Sequence, residues 1–477
     1  MKFAFWFDYD HTFTFVKLFR ELEKRVPGAR ASGIVVNDRY LPHAVEGLPA
    51  GTRLISFYEL TAKAKDFVPS ADDIAAYKAM DERYQLARVA YSDRWVADFK
   101  YDDLVKLYVF LIRSFRDYLR TEKPDVLVFG CIASQYAHLL YLLAREEGVR
   151  VVTPYGIGVE DLYVFLDNPY FDSPDIRATY QAMKAGRVPP DAEETAWARA
   201  FMAKIRAGDA PYPNAGQLIE DRKFQLPTLA QGLRYLRNYV LYYRNDFTLP
   251  KPLQRLLQLF WLRHNRKRVQ RYFRPLEEIE GDFIFFPLHF EPEISTLFLT
   301  QYDQVSFIDI IIRQLPLSCR LVVKEHPGML GQRDWRFFDA LAKKYPNILF
   351  VDPRAGIRHL ARRARAVVTF SGTVILEALI LGRPVIYTSR SRFGGFGLGH
   401  FTQDIINFGD AIAAAESKVV DEADVIRMLV AIHRHGHRFV FVEPLGAAEM
   451  LHDDNMARIA DALLDHIGAN AAVAAAS

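Results

Sequence analysis

The chain is poor in cysteine: Cys131 and Cys319 are the only two in 477 residues. That excludes a fold held by a disulfide framework. Both sit in or beside apolar strand-like runs, so buried free thiols in a reducing compartment are expected. Charge of one sign is also lacking. With 61 Lys and Arg against 58 Asp and Glu, the net charge of +3 excludes a uniformly basic nucleic-acid coat. Electrostatic partners must be sought in local patches. No uncharged apolar run approaches membrane-spanning length. At the N-terminus, MKFAFWFDYDH places Asp8 and Asp10 where a signal peptide needs an unbroken apolar core. A cytoplasmic protein is expected.

What is present is ordinary globular material: 50% hydrophobic and 25% charged residues, over a length that exceeds one core. Residues 3–7 read as a buried strand, followed by the polar loop Asp8-Tyr9-Asp10-His11-Thr12 and an amphipathic helix to about residue 26. Strands are expected at 34–36, 125–129 and 149–153, with helices over 72–119 and 135–147. Strand signals vanish between 168 and 275, where helical stretches alternate with proline-rich links. From 282 the pattern resumes, with strands at 283–287, 321–324, 348–351, 366–370 and 385–388 and helices at 425–435 and 454–467. The expected fold class is α/β: two Rossmann-like doubly wound domains facing a cleft, with a helical insertion. The expected division is 1–167 for the N-terminal domain, 168–281 for the insertion or interdomain segment and 282–420 for the C-terminal domain. Helices packing back across the domains occupy 421–467, and 468–477 is a disordered tail.

Two strand-end turns in the C-terminal half carry chemistry. RLVVKEHPGM ends a strand in Lys324-Glu325-His326-Pro327. AVVTFSGTVILEALILGRPV ends the other in Ser371-Gly372-Thr373 and opens a helix carrying Glu377. The first N–H groups of a helix have no intrahelical partner, and its dipole favours an anion there. Pro327 holds His326 extended, aiming the ring out of the strand mouth. With Lys324, this reads as a site for the phosphates of a nucleotide. Glu377 reads equally well as an acceptor for ribose hydroxyls or as an acid complementing the dipole. His289, Glu291 and Glu293 follow the first strand of this half, in FPLHFEPEIST. GGFGLG at 394–399 reads as a flexible loop near the cleft, its glycines letting backbone approach a ligand.

The segments FPLHFEPEIST, VVKEHPGM, the Asp352-Pro353 pair and SGTVILEALILGRPV resemble bacterial capsular polysaccharide biosynthesis proteins, a group that includes Kdo transferases of the GT-B fold. They are similar in these motifs to bacterial sialyltransferases, and sugar-nucleotide epimerases on a related scaffold share the second turn. The resemblance implies an inverting, metal-independent glycosyltransferase of surface polysaccharide assembly, without a cofactor. A nucleotide-sugar donor, CMP-Kdo as the best single choice, would bind the C-terminal domain, and a glycan or glycolipid acceptor the N-terminal one. Lys324, His326, Pro327, Ser371, Gly372, Thr373, Glu377, His289 and Glu293 would serve the donor side. An acidic residue in an Asp/Glu-Asp-Gly-like turn would be the general base. Here PYGIGVEDLYVF offers Glu160 and Asp161, with Leu162 in place of the expected glycine.

A rival reading rests on FWFDYDHTF, which resembles the DxDxT loop of haloacid-dehalogenase-like phosphatases. Asp8 would attack phosphate and Asp10 act as acid and base beside Mg²⁺, with Lys324, Ser371 and a Phe408-Gly409-Asp410 turn as further parts. Asp8 and Asp10 could also be a DxD metal site, or, with His11, simply the first strand-end loop on the acceptor side. A non-catalytic nucleotide-sugar-binding partner in capsule assembly is a third class. Between Arg234 and Arg274, eleven Lys and Arg face one acid, Asp246, with aromatics interleaved. This stretch reads either as a solvated basic face with its aromatics in the core, or as a contact for an anionic membrane at the inner face of the cytoplasmic membrane. No nucleic-acid module accompanies it.

Overall fold

The computed structural model describes residues 1–93, 99–208, 227–243, 251–291, 298–300, 302–389, 392–442 and 447–468. Two seven-stranded sheets organise the chain. In the first, β1 (Lys2–Phe7), β2 (Arg30–Val35), β3 (Arg53–Ser56), β4 (Val126–Phe129) and β5 (Arg150–Gly156) are parallel, in the order β3-β2-β1-β4-β5. β6 (Leu162–Leu166) folds back antiparallel on β5, and β14 (His437–Arg438) adds antiparallel to β6. The composition of β1 explains its central place. Phe3, Phe5 and Phe7 enter one apolar cluster, and Ala4 and Trp6 enter the cluster on the opposite face. A strand apolar on both faces is satisfied only in a sheet covered by helices on both sides.

The second sheet is wholly parallel. It contains β7 (Phe273–Arg274), β8 (Phe283–Pro287), β9 (Arg320–Lys324), β10 (Ile348–Val351), β11 (Ala366–Thr369), β12 (Val385–Tyr387) and β13 (His400–Phe401), in the order β13-β12-β11-β8-β9-β10-β7. Its strands alternate in the same way: Phe283 and Phe285 face one cluster, Ile284 and Phe286 the other. In both sheets the strand order reverses, between β1 and β4 in the first and between β8 and β11 in the second. At such switch points the connecting loops diverge and open a crevice outside the carboxyl ends of the strands. The expected pair of Rossmann-like domains is present.

The segment expected as a helical insertion is built into the second domain. Helices Pro174–Lys184 and Ala192–Ala207 bury Tyr180, Met183, Phe201 and Ile205 in the same cluster as Phe285, Val322 and Val367. The segment also contributes β7, whose two residues are too few to show a period. Helix Glu422–His435 packs with these helices. The chain then returns to the first domain through β14 and helix Asp453–His466, whose Ile459 and Leu463 join Phe15 and Phe19 of helix His11–Arg25. Among the described residues the stretch 72–119 contains helices Ala71–Tyr84, Leu86–Tyr91 and Tyr101–Glu122, the first two parted by Gln85 at φ +53. Cys319 is buried as expected, but Cys131 is exposed, because it begins the loop after β4 instead of lying in the strand. Residues 469–477 of the expected tail lie outside the described residues.

Candidate nucleotide site at the carboxyl ends of β8 to β11

Four neighbouring parallel strands deliver the candidate residues to one end of the second sheet: His289 after β8, Lys324 to His326 after β9, Asp352 after β10 and Ser371 to Thr373 after β11. His289 sits at the switch point. Its backbone N–H donates to Gln304 Oε1 (2.6 Å), and its ring stacks on Phe370 with centroids 5.5 Å apart. Thr369 Oγ1 donates to the Ser371 carbonyl (2.7 Å), so the Thr369 hydroxyl oxygen accepts from His289 Nε2–H at 3.0 Å. Burial lowers the His289 pKa to about 3, so the ring is neutral and braces the Ser-Gly-Thr turn. The turn is close above it: a Cβ on Gly372 would lie 3.7 Å from His289 Cε1.

Lys324 is 5% exposed and donates to the Pro353 carbonyl at 2.6 Å. Burial lowers its pKa to about 8, although Glu325, Asp352 and Glu377 act in the opposite sense. Among the described residues it forms no ion pair, because each neighbouring acid is bound to an arginine. Glu325, 1% exposed, accepts from Arg333 Nε at 2.7 Å and from the His326 backbone N–H at 2.6 Å. Arg333 also lies 3.6 Å from Glu291. Glu377 accepts from Arg358 Nε at 2.9 Å, and Asp352 pairs with Arg354 at 2.6 Å. Burial pushes both Glu325 and Glu377 up from the ordinary carboxylate range. Lys324 is therefore the buried cation left for an anionic ligand.

His326 has its pKa lowered to about 4, by burial first and by the Lys324 charge next. Its Nδ1 accepts from the Gly328 backbone N–H (3.2 Å), so in the neutral ring the proton sits on Nε2, which is a donor. Pro327 opens the short turn Pro327–Met329 that makes this possible. The expected donor residues Lys324, His326, Ser371, Gly372, Thr373 and His289 are thus assembled around one set of strand ends. Glu377 is turned to Arg358. Glu293 lies outside the described residues. Sequence reading missed Arg333 and Arg358; the only signal for the first was Glu325, a buried acid that demands a cation.

Glu160 and Asp161 occupy the turn between β5 and β6, a hairpin that reaches the second domain. Gly158 has φ +87, and a Cβ there would meet Thr373 Cγ2 at 2.7 Å. The tip of the first domain therefore touches the Ser-Gly-Thr turn of the second, and only glycine fits. The two carboxylates, however, are held by Arg438: at 2.8 Å for Glu160, and by a close ion pair for Asp161. Burial pushes the Glu160 carboxyl up, but hydrogen bonds from Arg438 and Trp197 outweigh it and hold the pKa low. Glu160 is fixed as an anion. Asp161 is the more open of the two, with 57% of its side chain exposed.

Asp8, Asp10 and His11 lie at the switch point of the first sheet, after β1. His11 is half-buried and stacks on Phe441 with ring centroids 5.1 Å apart, and burial lowers its pKa. The phosphatase reading is not assembled. Lys324 and Ser371 belong to the other sheet, and Asp410 lies in the first turn of helix Phe408–Ser417 instead of in a turn of its own. The glycine-rich stretch 394–399 is not an open loop either. A Cβ on Gly394 would lie 2.6 Å from the Ser389 carbonyl, and one on Gly399 2.6 Å from Val385 Cγ1. These glycines answer to lack of space against β12.

The basic segment forms helices Leu229–Asn238 and Pro252–Val269, with a π turn Tyr239–Tyr243. The reading that placed its aromatics in the core is corrected in part: Tyr272 and Phe273 pack against the core, whereas Phe260 and Trp261 are exposed, as are Leu233, Leu236, Val240 and Leu257, and Phe247 lies outside the described residues. The second helix is nevertheless anchored beside the site. Buried Asn265 donates to the Gly331 and Arg333 carbonyls (2.6 Å each) and accepts from the Trp335 N–H (2.7 Å), fixing the loop that carries Arg333.

A doubly wound pair of sheets, with Lys324, His326 and the Ser371-Gly372-Thr373 turn at the strand ends of the second, defines an α/β protein of two Rossmann-like domains. The family model described as capsule polysaccharide biosynthesis protein matches residues 196–439, just over half of the chain, and the chain belongs to that family. Solved structures with a likeness to it include KpsC of Thermosulfurimonas dismutans, a beta Kdo 2,4 transferase, at 13% identity over 67% of this chain and 82% of that one, with a TM-score of 0.38. Others are the UDP-GlcNAc 2-epimerase of Methanocaldococcus jannaschii in complex with UDP-GlcNAc and UDP (12%, 91% and 100%, 0.30) and the calicheamicin glycosyltransferase (13%, 98% and 98%, 0.28). Scores this low say nothing about substrate. No curated protein sequence matches the chain.

Proposed function

We propose that this protein is a glycosyltransferase of surface polysaccharide assembly that takes its sugar from a nucleotide donor bound at the ends of β8 to β11. The observation that carries the reading is the convergence of Lys324, His326 and the Ser371-Gly372-Thr373 turn at the second switch point. As the glycosidic bond to the nucleotide breaks, charge develops on the leaving phosphate. The Lys324 ammonium, the His326 Nε2–H and the donors of the turn are already fixed there and need no reorganisation. The acceptor hydroxyl enters from the first domain and loses its proton to a carboxylate as it attacks, inverting the anomeric centre in one displacement. For the base we propose Asp161, on the hairpin whose Gly158 abuts Thr373, once it leaves Arg438; Glu160 is held too firmly. The donor we propose is CMP-Kdo, on the resemblance of the strand-end segments to Kdo transferases. The scheme asks for no metal.

Asp161→Asn should lower kcat by about 10²–10⁴ while leaving nucleotide affinity within twofold, as read by steady-state kinetics and calorimetry. An unchanged kcat would move the base elsewhere.

No helix among the described residues is long and apolar enough to cross a membrane. We propose peripheral contact with an anionic bilayer through the exposed leucines and basic side chains of helices Leu229–Asn238 and Pro252–Val269, a place where a lipid-linked acceptor would lie. Wild-type protein should float with vesicles containing anionic lipid and not with zwitterionic ones, and a Leu233→Asp/Leu257→Asp double variant should lose flotation. Equal recovery from both vesicle types would remove this contact.

A further inference from the structure

Arg392 stands apart from the machinery described above. It opens the 3-10 turn Arg392–Phe396 beyond β12, with φ +51, a backbone conformation L residues seldom adopt. The turn holds it there. Phe393 and Phe396 are buried, Gly394 is wedged against Ser389, and the Arg392 N–H donates to the Phe171 carbonyl at 2.8 Å. From this position the side chain crosses to the first domain. Its guanidinium carbon lies 4.6 Å from the Tyr155 ring centroid and 5.1 Å from that of Phe171, and the two rings stack on each other. Tyr155 lies near the carboxyl end of β5, and Cys131, close enough to influence the guanidinium, begins the loop after β4. The place is therefore the ligand side of the first sheet, closed by a residue of the second domain.

Among the described residues the site lacks a carboxylate acceptor. Aromatic faces attract a cation but cannot take up the five N–H donors of a guanidinium. Among the described residues no carboxylate pairs with Arg392; nearby Asp172 is bound to Arg177. Burial lowers the Arg392 pKa to about 10, and Cys131 acts in the opposite sense. Beside it, Tyr155 Oη is a buried hydroxyl with no hydrogen-bond partner among the described residues. Buried polar groups are ordinarily paired, and such a hydroxyl beside a guanidinium that no carboxylate among the described residues holds is the donor set an oxyanion needs.

We propose that Arg392 and Tyr155 form an oxyanion subsite between the domains, for a carboxylate or phosphate group carried by the sugar substrate. The assignment of that anion to a sugar rests on the transferase reading; the anion site itself does not. The test is ligand-observed NMR on the full chain with glucuronate, glucose and inorganic phosphate as probes. Wild type should bind glucuronate or phosphate saturably and ignore glucose, and the preferred anion tells carboxylate from phosphate. Arg392→Gln should weaken that binding roughly tenfold or more, and Tyr155→Phe about threefold. Tyr155→Phe removes only an unpartnered hydroxyl, so its Tm should not fall, which separates loss of the subsite from loss of the fold. CMP and UDP affinity, measured on the same variants, should be unchanged. Saturable anion binding that both variants retain, or no anion binding by wild type, overturns the proposal. If wild type binds the anion but no nucleotide, the transferase reading fails and the subsite stands.

Discussion

Lys324→Met is expected to lower kcat/KM for sugar transfer by about 10²–10³ without unfolding the protein, the loss typical of removing one fixed donor from a developing oxyanion. Lys324 ends β9, is 5% exposed, and has its pKa drawn from 10.5 to about 8. Keeping this cation inside disfavours the folded state by on the order of 3 kcal/mol below pH 8. Methionine matches the stem and removes the charge, so the Tm at pH 7 should hold or rise as activity disappears. A residue present for packing would show the opposite pair of changes. The pH dependence follows with its sign. The free enzyme carries the ammonium below about pH 8 and loses it above, so wild-type kcat/KM should decline as pH rises through that value. The Met variant should lack this limb.

Arg333→Met is expected to destabilise the fold by about 3–5 kcal/mol at pH 7. Arg333 is the cation for Glu325, which is 1% exposed, and it also approaches Glu291. Without it a buried carboxylate loses its ion-pair partner and keeps only the attraction of the Lys324 charge. Burial already raises the Glu325 pKa in the folded state, and loss of Arg333 raises it further. A carboxyl whose folded pKa lies above its unfolded one costs stability above the folded value, and the cost is relieved as pH falls through it. Urea unfolding of Arg333→Met should therefore show stability recovering from pH 7 towards pH 5. Glu325→Gln in the same background should restore much of the loss at pH 7, since the pair acts as a unit. A variant with wild-type stability across this range would mean that Glu325 is neutral in the native protein and the pairing is not electrostatic.

The parts of the fold legible in sequence were those whose pattern has one physical solution. FAFWF and FIFFP are apolar on both faces and five residues long, and both became central parallel strands. The Lys324–His326 and Ser371–Thr373 turns could be placed because each follows such a strand, and the sheet brings both to one edge on either side of β8. Where the pattern was silent, so was the reading. β7, β13 and β14 contain two residues each and are strands only because a neighbour pairs with them. Helices Pro174–Lys184 and Ala192–Ala207 had a readable apolar face, but amphipathicity does not name the surface it will cover. Glu160 and Asp161 looked available because Arg438, nearly three hundred residues later, carries no mark of its destination. Arg392 was hidden in a glycine-rich stretch whose glycines suggested mobility, when they record close packing against β12.

The most direct test of the account is titration calorimetry of CMP, UDP, GDP and their sugar conjugates into wild type and Lys324→Met, at pH 7 and without added divalent metal. The account predicts saturable binding of one nucleotide family to wild type, CMP compounds if the proposed donor is right, and binding weakened tenfold or more by the substitution. Wild-type protein that binds no nucleotide, or a Lys324→Met variant that binds as tightly as wild type, would contradict a nucleotide-phosphate site at the ends of β9 and β11.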